Sequence, residues 1–188
     1  MDVPRSLLST MRFSFLYVDR YLFSKGWVYP ESYVPYCMVR YILKGSAVFR
    51  INGREYVVRE NQIAYIPDGC SLACHALEDE FHFISIRFVV TARLNGNDFL
   101  TEFFHLSPII DASDPDMLHY FQEVYYNATS ERISRFFHIR GNLELILASM
   151  VDHNAAAHSE GRRFEKEIPQ DTLSLIHISE PTRRTPIS

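Results

Sequence analysis

Asn52-Gly53, set between two β-rich runs, constrains this chain more than any other pair of residues. Both residue types tolerate positive φ, which a type I′ turn needs at its two central positions, and that turn matches the right-handed twist of paired strands. A strand from Ala47 to Ile51 must therefore double back into one from Arg54 to Val58. Upstream, Met38 to Leu43 predicts a strand ending at a Lys44-Gly45 turn. Downstream, Asn61 can take a left-handed conformation and lead into a strand from Gln62 to Ile66, which stops at Pro67-Asp68-Gly69. His82 to Val89 alternates Ile84, Ile86 and Phe88 with Ser85 and Arg87, the pattern of a strand with one buried face. Short strands at this spacing, from Arg12 to about Val90, predict a barrel or sandwich.

The pattern changes around Leu94 to Asp98. Ser113-Asp114-Pro115-Asp116 offers an N-cap, a first-turn proline and acids that suit a helix start. Met117, Leu118, Phe121, Val124 and Tyr125 then recur at helical spacing, and after a join near Asn127 to Ser130 a second stripe holds Phe136, Ile139, Leu143, Ile146, Leu147 and Met150. Asp152 to Arg163 is polar and small, as a linker would be. The expected organisation is a barrel over residues 1–98, a helical segment over 99–153, a linker over 154–172 and a tail over 173–188. No internal repeat is evident.

With 188 residues and 47% hydrophobic content, the chain is long enough for one well-packed core with a short appendage. A net charge of -4 and a pI near 6.0 oppose the basic footprint that phosphate-backbone binding needs. Cys37, Cys70 and Cys74 form no CxxC or zinc-type pattern and read as buried thiols in a reducing compartment. Met1 to Met11 lacks the apolar run of a signal peptide, and no stretch approaches the roughly 20 apolar residues of a membrane span. A soluble cytoplasmic protein with no membrane partner is expected.

The run LSLIHISEPTR, Leu173 to Arg183, resembles the conceptual translation of a transposase-type sequencing adapter, and RTPIS, Arg184 to Ser188, resembles its continuation. Such scars stand outside fold reasoning. On that reading the natural gene continues past about Thr172.

The run YILKGSAVFRINGREYVVRENQIAYIPDGCSL, Tyr41 to Leu72, resembles the core of the AraC-type ligand-binding domain: a strand into Gly45, an ING hairpin, a turn and an IP-x-G corner. The likeness extends over roughly Tyr17 to His153. It departs from the usual pattern where Asn61 stands for a turn glycine and Leu72 for a histidine after the corner. What the resemblance implies is a cupin-like double-stranded β-helix followed by two or three helices that mediate dimerisation, then a DNA-binding half that is absent here. The implied partners are a second copy of the chain, a small-molecule effector, and DNA only through the missing half.

Catalytic cupins hold a metal with an H-x-H pair, a glutamate and a second-motif histidine. The matching positions here are Glu31, Tyr33, Met38 and Leu72, of which one alone is a good ligand. Cys74, His75 and His82 are the nearest substitutes, while His105, His119, His138 and His153 lie scattered through the helical half. No metal, cofactor or catalytic residue is expected. The alternative class is a stand-alone cupin enzyme such as a sugar isomerase, and a third is a dimerisation module with an empty barrel.

The expected ligand contacts are Trp27, Tyr29, Tyr36, Met38 and Arg40. If Met38 faces inward, strand alternation turns Arg40 and Ile42 inward too, and a buried guanidinium needs paired acceptors from a carboxylate, phosphate or polyol. The opposite reading stays open: Cys37, Val39, Tyr41 and Leu43 face the core and Arg40 faces water. Aromatic faces suit the C–H surface of a sugar, which makes a sugar a candidate effector. The stripe from Phe136 to Met150 is the expected dimerisation surface, with packing onto the barrel as the other account.

Overall fold

The turns foreseen between strands close two antiparallel sheets upon each other. The computed structural model describes residues 11–91, 93–94 and 97–167; the tail expected over 173–188 lies outside them. The strands are β1 (Phe13–Phe23), β2 (Val28–Val34), β3 (Cys37–Lys44), β4 (Ser46–Ile51), β5 (Arg54–Arg59), β6 (Gln62–Ile66), β7 (Cys70–Ala76) and β8 (Phe81–Val90). Short strands β9 (Arg93–Leu94), β10 (Asn97–Asp98) and β11 (Ile109–Asp111) follow, interleaved with helices α1 (Phe99–Phe104), α2 (Met117–Ala128) and α3 (Arg135–Glu167). One large sheet has the order β1-β8-β3-β6-β11 and a second β2-β7-β4-β5, while β9 and β10 pair as a separate two-stranded ribbon. This is a mainly β, cupin-like double-stranded β-helix with helices after it.

The local turn chemistry accounts for the hairpins. Asn52 and Gly53 have φ of 47° and 79°, the type I′ requirement, and β4 pairs with β5 in an unbroken register from Ser46↔Arg59 to Ile51↔Arg54. Asn61 has φ 60° and its backbone N–H donates to the Ile42 carbonyl. At Gly45, φ is 77° and a Cβ would sit 2.5 Å from the Glu80 carbonyl oxygen, so only glycine lets β3 turn beneath the β7–β8 connection.

Two cores result. Between the sheets lie Met38, Ile42, Phe49, Val58, Ile66, Leu72, Phe81 and Phe83. Outside the first sheet, Val39, Tyr41, Ile84, Ile86 and Phe88 pack beneath Phe121 and Val124 of α2 and Ile139, Leu143, Ile146 and Met150 of α3. β3 separates the two, buried at every position from Cys37 to Ile42. The structure thus resolves the open choice for this strand: its odd positions face the helices, and Met38, Arg40 and Ile42 face the barrel interior.

Three expectations need correction. β8 has two buried faces, because Ile84, Ile86 and Phe88 meet the helices while Ser85 points between the sheets instead of to water. Helix α2 starts at Met117, since the Asp114 carboxylate accepts from the Asp116 N–H and closes a turn ahead of the helix. The expected linker is helical as far as Glu167: Ala155, Ala156 and Ala157 favour helix, and no proline intervenes before Pro169. The chain divides into one unit over Met1–Ala155 and another over Ala156–Ser188. Among the described residues no helix is long and apolar enough to cross a membrane.

Candidate functional site

β1, β8 and β3 lie side by side, and their register decides which side chains meet inside the barrel. Arg40 pairs with Ser85, Met38 with Arg87, Tyr17 with Arg87 and Asp19 with Ser85. Paired residues share a face, so Met38, Arg40, Ser85, Arg87 and Tyr21 form one patch that runs out to solvent at the edge strand, where Asp19 is half-buried and Tyr17 exposed. Arg40 and Arg87 are diagonal neighbours across the β3–β8 ladder, with backbones about 7–8 Å apart.

Arg40 is 5% exposed, and its guanidinium lies over the rings of Phe49 and Phe83 at 5.2 and 5.0 Å. Its Nη1 donates to Cys74 Sγ at 3.5 Å and its Nη2 to Met38 Sδ at 3.8 Å, while Nε has no partner. Sulfur is a weak acceptor, so this buried cation has aromatic faces and thioether or thiol contacts but no carboxylate. Burial pushes the Cys74 thiol up, and the Arg40 charge opposes that shift. The Ser85 hydroxyl also points at Met38 Sδ, at 4.0 Å.

Arg87 is half-buried nearer the opening. It lies over the rings of Tyr17 and Tyr36 at 5.2 and 5.6 Å and donates to the Tyr21 hydroxyl at 3.2 Å, leaving its own Nε buried without a partner. Asp19, the carboxylate on this face, accepts from the Tyr17 hydroxyl at 2.8 Å and from the Arg20 N–H at 2.8 Å and forms no ion pair with either arginine.

The structure brings together Tyr36, Met38 and Arg40 of the expected contacts and adds Arg87, Tyr17, Tyr21 and Ser85. Trp27 does not touch Arg40: it stacks on Phe23 at 4.0 Å and leans on Phe81 and on Phe83, the ring beneath the Arg40 guanidinium, which leaves it one ring away. Phe81 and Arg87 are six residues apart along β8, about 20 Å, so the Trp27 cluster lies toward the other end of the strand from Arg87, with Arg40 between them. Tyr29 sits on β2 across from Cys74. Arg87 escaped detection because its face depends on the pairing of Cys37 with Phe88, a contact across 51 residues that no local pattern announces.

Of the residues at cupin metal positions, Glu31 is exposed on the outer side, bonded to Arg50 at 2.8 Å and to the Ser71 hydroxyl at 2.7 Å. Tyr33 is exposed, and Met38 and Leu72 are buried apolar side chains. Cys74 faces inward, whereas His75, the next residue on the strand, is exposed. These donors do not converge.

The expected dimerisation stripe is also corrected. Ile139, Leu143, Ile146, Leu147 and Met150 are all buried in the chain's own core against the barrel, because the first sheet's outer face is apolar and needs cover. Phe136 alone of the six is exposed, and its sequence neighbours Ile133 and Phe137 are exposed as well, as is Leu145 roughly two to three turns further along α3.

Residues 17–147 match the model of the AraC-like ligand binding domain. None of the curated proteins matches the chain. Among solved structures it is similar to a conserved protein of unknown function from Streptococcus pyogenes, with 23% identity over 42% of this chain and 74% of that one and a TM-score of 0.36. It is also similar to a predicted oxalate decarboxylase from Thermotoga maritima, with 15% identity over 46% of this chain and 75% of that one and a TM-score of 0.38. A third is an RmlC-like cupin family protein with a double-stranded β-helix fold from Methanocaldococcus jannaschii, at 16% identity over 42% of this chain and 79% of that one, TM-score 0.36.

Proposed function

Because the chain belongs to the AraC-like ligand binding domain family, we propose that it is the effector-sensing and dimerising part of an AraC-type transcription regulator. It binds a small molecule between its sheets and passes its state to a DNA-binding half carried elsewhere in the parent protein. The observation that carries this reading is Arg40, a cation buried between the sheets with no ion pair. A barrel built only for stability would place an aliphatic side chain there, since an uncompensated buried charge costs several kcal/mol.

The route of transmission follows from β3 and β8. Each presents Arg40 or Ser85 to the interior and apolar residues to the helices on its other face; Tyr41 meets Phe121 of α2 with ring centroids 5.5 Å apart. A ligand that shifts either strand alters the seat of α2 and α3. A differential binding energy of about 1–3 kcal/mol suffices for regulation. The second copy of the chain docks against the exposed start of α3, around Ile133, Phe136 and Phe137. The reading assigns the chain no catalytic step, because the inward positions where cupin enzymes keep metal ligands carry Met38 and Leu72.

Thermal unfolding against a mixed panel of sugars, carboxylic acids and amines tests the sensor role. A true effector at 100 times its Kd stabilises the fold by about 2.7 kcal/mol, while a barrel that responds to nothing is structural. Sedimentation of the chain and of Phe137→Arg tests the dimer: the variant should shift toward monomer with its fold intact. Sequencing the source DNA across Thr172 tests the parent protein, which on this reading continues into two helix-turn-helix units.

A further inference from the structure

The interior patch has a charge and a set of unpaired donors that specify more than an unnamed small molecule. Arginine stays protonated at any physiological pH, so Arg40 cannot relieve its burial by giving up a proton as a lysine would. Phe49 and Phe83 offset part of that cost through their negative ring faces. The remainder is uncompensated: no carboxylate pairs with Arg40 or Arg87 among the described residues, and both Nε groups are buried donors without acceptors. Asp19 does not answer them: its carboxylate bonds the Tyr17 hydroxyl and the Arg20 N–H and makes no ion pair with Arg40 or Arg87.

Resting on the ligand-binding reading above, we propose that the effector is a small carboxylic acid with an apolar body, its carboxylate held by Arg40 and Arg87. A neutral sugar would leave the guanidinium charge uncompensated and would need a polar partner for each hydroxyl. The interior side chains around Arg40 are instead Met38, Ile42, Phe49, Leu72 and Phe83, with the Ser85 hydroxyl and the Cys74 thiol as the polar groups beside it. A phosphate ester would bring a further terminal oxygen, and above its second pKa a second charge, against those same walls. A monoanionic carboxylate has two oxygens for two unpaired Nε donors, and the arginine fork favours such planar, paired acceptors. Arg87, half-buried among Tyr17, Tyr21 and Tyr36, meets the acid at the opening, and Arg40 receives it within.

The test is thermal unfolding and titration calorimetry of the whole chain with matched pairs: benzoate against benzamide and hexanoate against hexanamide, with phenyl phosphate and arabinose alongside. The acid of each pair should raise the transition temperature, and its amide and the sugar should not. Arg40→Met should weaken acid binding at least tenfold while the free protein melts no lower than the parent. Arg87→Gln, a gentler change at the opening, should weaken it several-fold.

Equal shifts from amides or from arabinose overturn the acid assignment and leave the sensor reading standing. A shift from phenyl phosphate alone overturns the carboxylate. No shift from any compound, together with an Arg40→Met protein that melts well below the parent, makes the charge a structural part of the core and overturns both readings.

Discussion

The two cores that share β3 differ in how they treat polar groups. Beneath the helices, the Tyr65 hydroxyl donates to Asp98 Oδ1 at 2.8 Å, the Tyr41 hydroxyl donates to Asn61 Oδ1 at 3.0 Å, and Asn154 bonds the Ser107 N–H and the Phe104 and His105 carbonyls. Between the sheets, Arg40 and Arg87 each keep an unpaired buried donor. Among the described residues the helix side keeps one unpaired buried atom, Asn127 Oδ1, on a neutral amide whose nitrogen donates to Glu123. Between the sheets the unpaired atoms belong to two cations, far costlier to bury, which marks that face as the one shaped for something besides stability.

The largest break in that contrast comes from the helix-side core. Phe121 is fully buried against Tyr41, so Phe121→Ala should cost about 3–5 kcal/mol in a urea unfolding experiment. A cost under about 1 kcal/mol would mean that α2 is not docked on the sheet. Asp98 comes next: its Oδ2 accepts from the Thr101 N–H at the start of α1 and its Oδ1 from Tyr65. Asp98→Ala removes a cap and orphans a buried hydroxyl, for an expected loss of about 1–3 kcal/mol.

Inside the barrel the sign should reverse. Arg40→Met exchanges a buried, unpaired cation for an apolar chain of similar length, and free-protein stability should hold or rise by about 1 kcal/mol. Denaturation of the two variants side by side, Asp98→Ala falling and Arg40→Met not falling, separates the satisfied core from the unsatisfied one. If both fall alike, the contrast between the cores dissolves.

How much of this was legible in the sequence depends on how local the cause is. The Asn52-Gly53 hairpin and the strand from Gln62 to Ile66 were readable, because each is set by residues whose backbone preferences act within a few positions. CMVRYI on β3 was not, since a strand buried on both faces shows no apolar alternation to choose between them. The α3 stripe announced that it would be buried but not by what: the apolar outer face of β8 claims it, and that face exists only once β1, β8 and β3 are paired. Met38 and Tyr36 came from the family resemblance, and alternation then carried Arg40 inward with Met38, whereas Arg87, Tyr17 and Tyr21 join them through long-range register.

The smallest effect separates the cores by pH. Burial, with the nearby Asp98 charge second, pushes the Cys37 thiol up from 9.0 to about 12. A native pKa above the unfolded one means that the folded state holds its proton more tightly. The thiol's share of stability is therefore complete below about pH 9 and is lost as pH rises toward 12. The unfolded chain gives up its proton across that window while the native chain does not. By pH 10 the loss from this group is about 1 kcal/mol. Stability measured by urea at pH 8, 9 and 10 should fall, and Cys37→Ala should make the curve shallower even where its absolute stability is lower. A variant with an unchanged slope would place the alkaline loss on another group, with Tyr65, whose hydroxyl burial pushes well above its ordinary value, as the next to remove.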